Sequence, residues 1–295
     1  MGFLGSVCYN GTDKQTTEGA IPMLVFSYFR EDDERLYLAG SEDGYTWEVW
    51  NDGQAIFGSE LGTRQMRDPF IMRGRDGFYH LVWTDGWRSR SIGYARSADL
   101  LSWEGAKLIP VMEHLPQTQN VWAPEIFYDE GADAYRIVWS STVGDGPRNH
   151  RIWSTTTRDF DTYSEASLFF DPGYNVIDAC VFDLGERYYM LFKDERGVNE
   201  PGTDYKAIRS CTFAKDGRDR PQVEAISELL TAPLTEGPTL YATGEEGAKE
   251  WIMLVDGFQE QYYGAYRSKD LQTWEDISSQ VQLPIGARHG AVFRR

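Results

Sequence analysis

RDPFIMRGRDGFYHLVWTDGWRSRSIGYARSADLLSW, residues 67–103, contains four short apolar runs: Asp68–Met72, Phe78–Trp83, Ser91–Ala95 and Leu101–Trp103. Each is rich in aromatic and β-branched residues and is bounded by Gly, Asp or Arg, which reads as four strands joined by turns. The order repeats in Ile126–Tyr128, Tyr135–Trp139, Arg151–Ser154 and Thr162–Tyr163, and later units are marked by Tyr188–Phe192 and Trp251–Val255. Each unit opens on a short polar motif: Arg67-Asp68-Pro69, Trp122-Ala123-Pro124-Glu125, Val176-Ile177-Asp178, Glu236-Gly237-Pro238 and Arg288-His289-Gly290. The key residues 68, 125, 178, 236 and 289 are separated by 57, 53, 58 and 53, a period that marks propellers and repeat arrays. Copies arranged about an axis would each bring one polar side chain, from one shared position, to a common point.

The chain ends complete one another. Leu24–Tyr28, Leu36–Ala39 and Trp47–Trp50 supply three strands before any key motif, whereas Arg288–Phe293 supplies a motif with no room for strands after it. Joined, they make a fifth blade that closes the ring and leaves no free sheet edge. The expected fold is therefore all-β, a five-bladed β-propeller, with residues 1–295 as a single domain. A second repeat supports it: an Asp four residues before an aromatic, in Asp43/Trp47, Asp99/Trp103, Asp159/Tyr163 and Asp270/Trp274. Such an Asp caps its own turn while the aromatic covers the blade edge, a structural role. These turns resemble the Asp boxes of sialidases, one residue short and with no arginine triad.

The net charge of −17 argues against nucleic-acid or anionic-membrane partners, whose phosphates such a surface repels. Three widely spaced cysteines, Cys8, Cys180 and Cys211, read as reduced and unpaired, without a zinc pattern. No apolar run is long enough for a membrane span and no signal-peptide pattern opens the chain, so a cytoplasmic protein is expected, with an exported one lacking its leader as the alternative. Met1–Ser6 fits only the permissive myristoylation pattern. A monomer or small homo-oligomer is expected.

On a propeller, Asp68, Asp178 and Glu236 would face one depression from three blades. Three crowded carboxylates repel, which lets a protonated acid coexist with an ionised base. Glycoside hydrolysis with inversion needs that pair, one to protonate the leaving oxygen and one to activate water across the sugar ring. A non-catalytic sugar-binding propeller is the competing reading, but it has no use for three convergent carboxylates.

RDPFI, WAPEIFYD, VIDACVF, TEGPTLY and RHGAVF, in that order, resemble the inner-strand motifs of glycoside hydrolase family 43. The resemblance implies a five-bladed propeller acting by inversion on arabinose-, xylose- or galactose-containing plant polysaccharides. Arabinofuranosidase or xylosidase activity comes first, and an exo-galactanase is the alternative. It further implies Asp68 as general base, Asp178 as the carboxylate that tunes and orients the acid, Glu236 as general acid, Trp122 as a wall of the sugar pocket, and His289 facing a central cation such as calcium; no organic cofactor is implied. Glu125 stands where the family often has Asp, and its extra length could reach substrate. Arg67 and Arg288 are candidates for sugar hydroxyls or for holding a carboxylate ionised, with surface ion pairs as the other reading. Trp87 and Lys193 fall in loops where a pocket rim would be, or in solvated turns. His80 and His114 read as packed or surface residues, and His150 carries no assignment.

Overall fold

A computed structural model describes residues 23–197, 206–244, 249–260 and 262–295. The Met1–Ser6 pattern, Cys8 and most of loop 195–205 lie outside the described residues. The strands follow the expected units. They are β1 (Leu24–Phe29), β2 (Tyr37–Ser41) and β3 (Glu48–Val49); β4 (Arg67–Arg73), β5 (Tyr79–Thr84), β6 (Ile92–Ser97) and β7 (Trp103–Ile109); β8 (Trp122–Asp129), β9 (Ala134–Ser141), β10 (Arg151–Thr157) and β11 (Ser167–Phe170); β12 (Val176–Asp183), β13 (Arg187–Asp194) and β14 (Ala207–Ala214); β15 (Glu236–Thr243), β16 (Glu250–Gly257), β17 (Tyr262–Ser268) and β18 (Glu275–Asp276); and β19 (Arg288–Arg294).

They form five antiparallel sheets: blade I (β4–β7), blade II (β8–β11), blade III (β12–β14), blade IV (β15–β18) and blade V, ordered β19-β1-β2-β3. The terminal strands thus build one blade, with Val25 opposite Phe293 and Phe26 opposite Val292. Innermost strands β4, β8, β12, β15 and β19 each pack against the next and close the ring. Apolar residues cover both faces of each sheet, so the core is five wedges rather than one mass. Phe26 and Tyr241 mark the wedge between blades IV and V; Ile71 with Leu38, that between V and I; Val82 with Trp139, that between I and II; Val138 with Phe192, that between II and III; Leu191 with Met253, that between III and IV.

The Asp turns are built as expected. Oδ1 of Asp99 accepts the N–H groups of Leu101 and Ser102 at 2.9 and 2.8 Å. Asp43, Asp159 and Asp270 accept the corresponding pairs. A Ser or Thr two residues earlier takes the next donor: Ser41, Ser97, Thr157 and Ser268 accept from Gly44, Leu100, Phe160 and Leu271. The outer strands of blades I, IV and V begin on or just after the turn aromatic, at Trp103, Glu275 and Glu48, and that of blade II begins at Ser167, beyond the expected Thr162–Tyr163.

Blade III departs from the four-strand unit. Its turn keeps the shape, with Asp216 followed by Gly217 at φ +70°, but Ala214 stands in the hydroxyl position and Arg220 in that of the aromatic. Asp216 accepts a 3.3 Å bond from the Arg218 N–H and pairs with the Arg218 side chain at 3.1 Å, without the paired backbone donors of the other turns. The outer segment then follows β14 loosely, bonding through Glu224, Ser227 and Leu230, every third residue, where a strand would use every second. Gly217 also lies flat on Gly131: a Cβ on Gly217 would stand 2.5 Å from the Gly131 carbonyl carbon.

Candidate active site

On the inner strand of every blade the pairing slips. Arg67 faces Thr84 but Phe70 faces Val82, and the same slip separates Trp122 from Glu125, Ile177 from Cys180, Glu236 from Thr239 and Arg288 from Ala291. Three steps on one strand thus match two on its neighbour, a β-bulge. The residue after the slip begins takes a positive φ in each: Asp68 +49°, Ala123 +47°, Asp178 +57°, Gly237 +54° and His289 +24°. Only Gly237 adopts this region freely, so four strained residues gather at one end of the axis. The structurally equivalent positions are therefore 68, 123, 178, 237 and 289, not the five polar residues of the sequence period. Glu236 precedes its bulge residue, in the place held by Arg67, Trp122, Ile177 and Arg288, and Glu125 lies two residues beyond Ala123. Bulge register is set by strand pairing, which side-chain polarity does not report.

Four of the five bulges turn a backbone N–H toward the preceding blade, where a side chain accepts it. Ala123 N–H donates to Thr84 Oγ1 at 2.7 Å, Asp178 N–H to Ser140 Oγ at 3.0 Å, Gly237 N–H to Asp178 Oδ2 at 3.1 Å and His289 N–H to Asp256 Oδ2 at 3.0 Å. Thr84, Ser140 and Asp256 occupy matching places on the second strands, opposite Arg67, Trp122 and Glu236. Lys193 holds that place in blade III, opposite Ile177, and its ammonium donates to Glu236 Oε2 at 2.7 Å. One repeated contact therefore joins the blades and orients the acidic side chains.

Asp68, Asp178, Glu236 and His289 converge. The Thr84 hydroxyl donates to Asp68 Oδ2 at 2.7 Å, and His289 Nδ1 lies 3.3 Å from Asp68 Oδ1. Burial alone would make His289 less basic, but Asp68, Asp178, Glu236 and Asp256 overcome it and raise its pKa. Asp178 is buried, and desolvation, with Glu236 and Asp68 adding to it against His289 and Lys193, pushes its pKa up to about 7. Glu236 moves the other way: burial favours its neutral form, but Lys193, His289 and Arg288 outweigh this and hold it below its ordinary value. Lys193 is also 2.6 Å from Glu195 Oε1 and keeps its charge, its pKa raised by Glu236, Glu195 and Asp178 against the penalty of burial. Crowding thus does sort the carboxyls, but it is Asp178 that is pushed toward its protonated form and Glu236 that is held toward its anion.

The aromatic wall has two members. Trp122 and Trp87 meet edge to face at 5.5 Å, and Trp122 Nε1 donates to the Trp87 carbonyl at 3.1 Å. Trp87 remains 51% exposed, an unusual state for tryptophan in a packed wall and a natural stacking surface. Arg67 lies between the Phe29 and Trp87 rings, 4.6 Å from each, and pairs with Glu34 at 2.7 Å, so it braces this wall. Three sequence-derived assignments need correction. Lys193 is in neither a rim loop nor a solvated turn: it lies within β13, buried and paired with Glu236 and Glu195. Arg288 is not free for sugar hydroxyls: it is buried, bound to Asp256 at 2.8 Å and to Glu31 at 2.9 Å. Glu125 does not reach the pocket: one strand period deeper than Ala123, it is buried in the floor against the Cys180 thiol, and desolvation pushes its pKa up to about 8.

Donor chemistry does not fit a directly ligated cation at His289. Among the described residues no three His, Cys, Asp or Glu side chains are placed to hold an ion together. Nδ1 of His289 is turned to Asp68 Oδ1 at 3.3 Å. His289 and Lys193 themselves supply the positive charge among these carboxylates. Sequence reading left out Thr84, Ser140, Asp256 and His150. His150 lies 4.8 Å from the Trp122 ring and bonds Thr142 Oγ1 at 3.0 Å. The first three carry a signal only in hindsight, a small or acidic residue at the end of each second strand. His80 is packed as expected, stacked on Phe160 at 3.9 Å.

Comparison with known proteins agrees with this architecture. The family described as "Probable glycosyl hydrolase domain", a family-43-related group, matches residues 22–294. An α-L-arabinofuranosidase from Bifidobacterium longum subsp. longum is 27% identical over 253 residues, covering 75% of this chain and 22% of that protein, so the chain spans about a fifth of that curated relative's length. A thermostable family-43 glycoside hydrolase superposes with a TM-score of 0.61 at 16% identity, over 80% of this chain and 81% of the other. An α-L-arabinofuranosidase from Lactobacillus brevis does so with 0.57 at 17% identity, over 77% and 78%. At such identities the superpositions speak for the propeller fold alone. The family match spans all five inner-strand motifs, and the chain belongs to the glycosyl hydrolase domains related to family 43.

Proposed function

We propose that this chain is the catalytic domain of an inverting glycosidase that releases a terminal pentose, arabinofuranose first and xylose second, from a plant-type oligo- or polysaccharide. The observation that carries the reading is the unequal environment of Asp68 and Glu236. They come from blades I and IV, which are not neighbours, with His289 of blade V between them in the ring. Such a placement across an axial depression suits the separation of roughly 6.5–9.5 Å that inversion needs to admit a water. Asp68, fixed by Thr84 and His289, deprotonates that water as it attacks the anomeric carbon. Glu236 donates its proton to the departing oxygen.

In the resting state Lys193 keeps Glu236 ionised. Entry of the glycosidic oxygen at Oε2 displaces the ammonium, removes the largest stabilisation of the anion, and lets Glu236 take up the proton that it then delivers. Asp178 anchors the backbone beside Glu236 through the Gly237 N–H, and its raised pKa weakens the second negative charge beside Glu236. Trp87 and Trp122 offer the sugar its stacking face. The carbohydrate partner follows from the same site. Arabinose is placed first because arabinofuranosidases stand among the chain's relatives.

A set of aryl glycosides of arabinofuranose, xylose and galactose tests the substrate, and proton NMR of the first-formed anomer tests the stereochemistry. Release of arabinose with inverted configuration is expected. A retained anomer would refute water attack by Asp68, and preference for galactose would favour the galactanase alternative. No hydrolysis on any of them, with sugar binding intact, would favour a binding propeller.

A further inference from the structure

Beside the axial site, on blades II and III, lies a groove of about 940 Å³. It extends from Trp122 past His150 and Asn175 to Glu195 and Lys206. A space of that size lies near the upper end of ordinary ligand sites and exceeds the need of a single pentose. Glu195 connects it to the catalytic group, since its carboxylate contacts the Lys193 ammonium that binds Glu236. On the glycosidase reading, Glu236 marks the leaving-group side. The groove therefore receives the part of the substrate that departs.

Its charge runs against that of the chain. In a protein of net charge −17 the lining carries Arg148, Arg196 and Lys206 against one carboxylate, Glu195. Lys206 is held by Glu195 at 3.2 Å, and Arg196 by Asp194 at 2.7 Å while it stacks on Tyr174. Arg148 is different. Its guanidinium lies 4.9 Å from the Trp122 ring centroid, and among the described residues it has no carboxylate partner. His150 adds no compensating change: burial first, then Arg148, Lys193 and Lys206 against Glu195, push its pKa down to about 4, so it is neutral at pH 7.

We propose that this groove is a subsite for an acidic sugar, in which Arg148 binds the carboxylate of a uronic-acid unit on the leaving-group side of the scissile bond. A planar guanidinium offers paired N–H donors that match a carboxylate, and its position over an aromatic ring preorganises it for that contact. This rests on the glycosidase reading, and it names a substrate class: terminal pentose linked to or next to a uronate.

The test compares kcat/KM for two oligosaccharides with the same terminal sugar, one linked to a glucuronic-acid unit and the other to its neutral counterpart. The wild type is expected to favour the acidic one by about tenfold, the worth of one hydrogen-bonded charge contact, and less as salt is raised. Arg148→Gln should bring the ratio close to one. A wild-type ratio of one, or a ratio that Arg148→Gln leaves in place, overturns the proposal. Calorimetric titration with methyl glucuronide and methyl glucoside separates this from the activity itself. If neither oligosaccharide is cleaved, the glycosidase reading fails, and the subsite is still decided: selective glucuronide binding lost in Arg148→Gln supports it, and equal or no binding overturns it.

Discussion

Glu236 and Glu125 show how far a carboxylate's role depends on what its atoms touch. Glu236 is bound by a buried ammonium and open to the pocket, whereas Glu125 is sealed in the floor beside a thiol. If Glu236 is the acid, Glu236→Gln lowers kcat on natural oligosaccharides by about 100- to 10,000-fold but largely spares substrates with activated aryl leaving groups. Parallel steady-state measurements on both substrate types check this, and equal losses would remove Glu236 from that role. Glu125 predicts a pH effect on stability instead. Its folded pKa of about 8 lies above the ordinary 4.5, so between these values the folded chain keeps a proton that the unfolded chain has released. Stability contributed by Glu125 is complete below the lower value and is lost as pH rises through the window, and Asp178 adds the same sign between 3.8 and about 7. Glu125→Gln cannot titrate. Its Tm should therefore fall less between pH 5 and pH 8 than that of the wild type, by about 2 °C or more in calorimetry; parallel curves would contradict the assignment.

At the scale of the element, the Ser/Thr-x-Asp turn decides whether a blade acquires its outer strand. Four turns satisfy three successive N–H groups with a buried hydroxyl and a carboxylate, and each is followed by a paired strand. Blade III lacks the hydroxyl and the aromatic, and its outer segment makes one isolated bridge, Val223 to Phe213, rather than a paired strand. Ser97→Ala removes the acceptor for the Leu100 N–H, at a cost of about 1–2 kcal/mol in denaturant unfolding. Ala214→Ser is expected to act in the opposite direction but more weakly, because Ala214 is exposed. An unchanged unfolding midpoint for Ser97→Ala would reduce the turn to a bystander.

For the molecule as a whole, closure is the stabilising device. The core is divided among five wedges, each needing both of its blades, and blade V exists only because β19 returns to β1. Removing residues 288–295 would strip that blade of its inner strand, expose the wedges on both sides, and take His289 from Asp68. The truncated chain should show no cooperative thermal transition by near-UV circular dichroism; a wild-type-like transition would mean that four blades suffice. The same arrangement explains why the site lies at the axis, the one place where all five inner strands approach one another.

The fold was legible in the sequence because each blade is a local unit. Strand runs, Asp turns and the split unit at the termini are written within about 60 residues of one another, and ring closure follows from counting them. That Asp68, Asp178 and Glu236 come together was legible for the same reason. Tertiary structure alone decided their register, since a bulge arises from pairing between strands and moved the equivalent positions to 68, 123, 178, 237 and 289. It alone also set the directions of their pKa shifts, because Asp178 is raised by burial and Glu236 is lowered, against burial, by Lys193 and His289 from the adjoining blades. Glu125 looked like a site residue from its motif and became a floor residue because two steps along a strand descend one period into the axis.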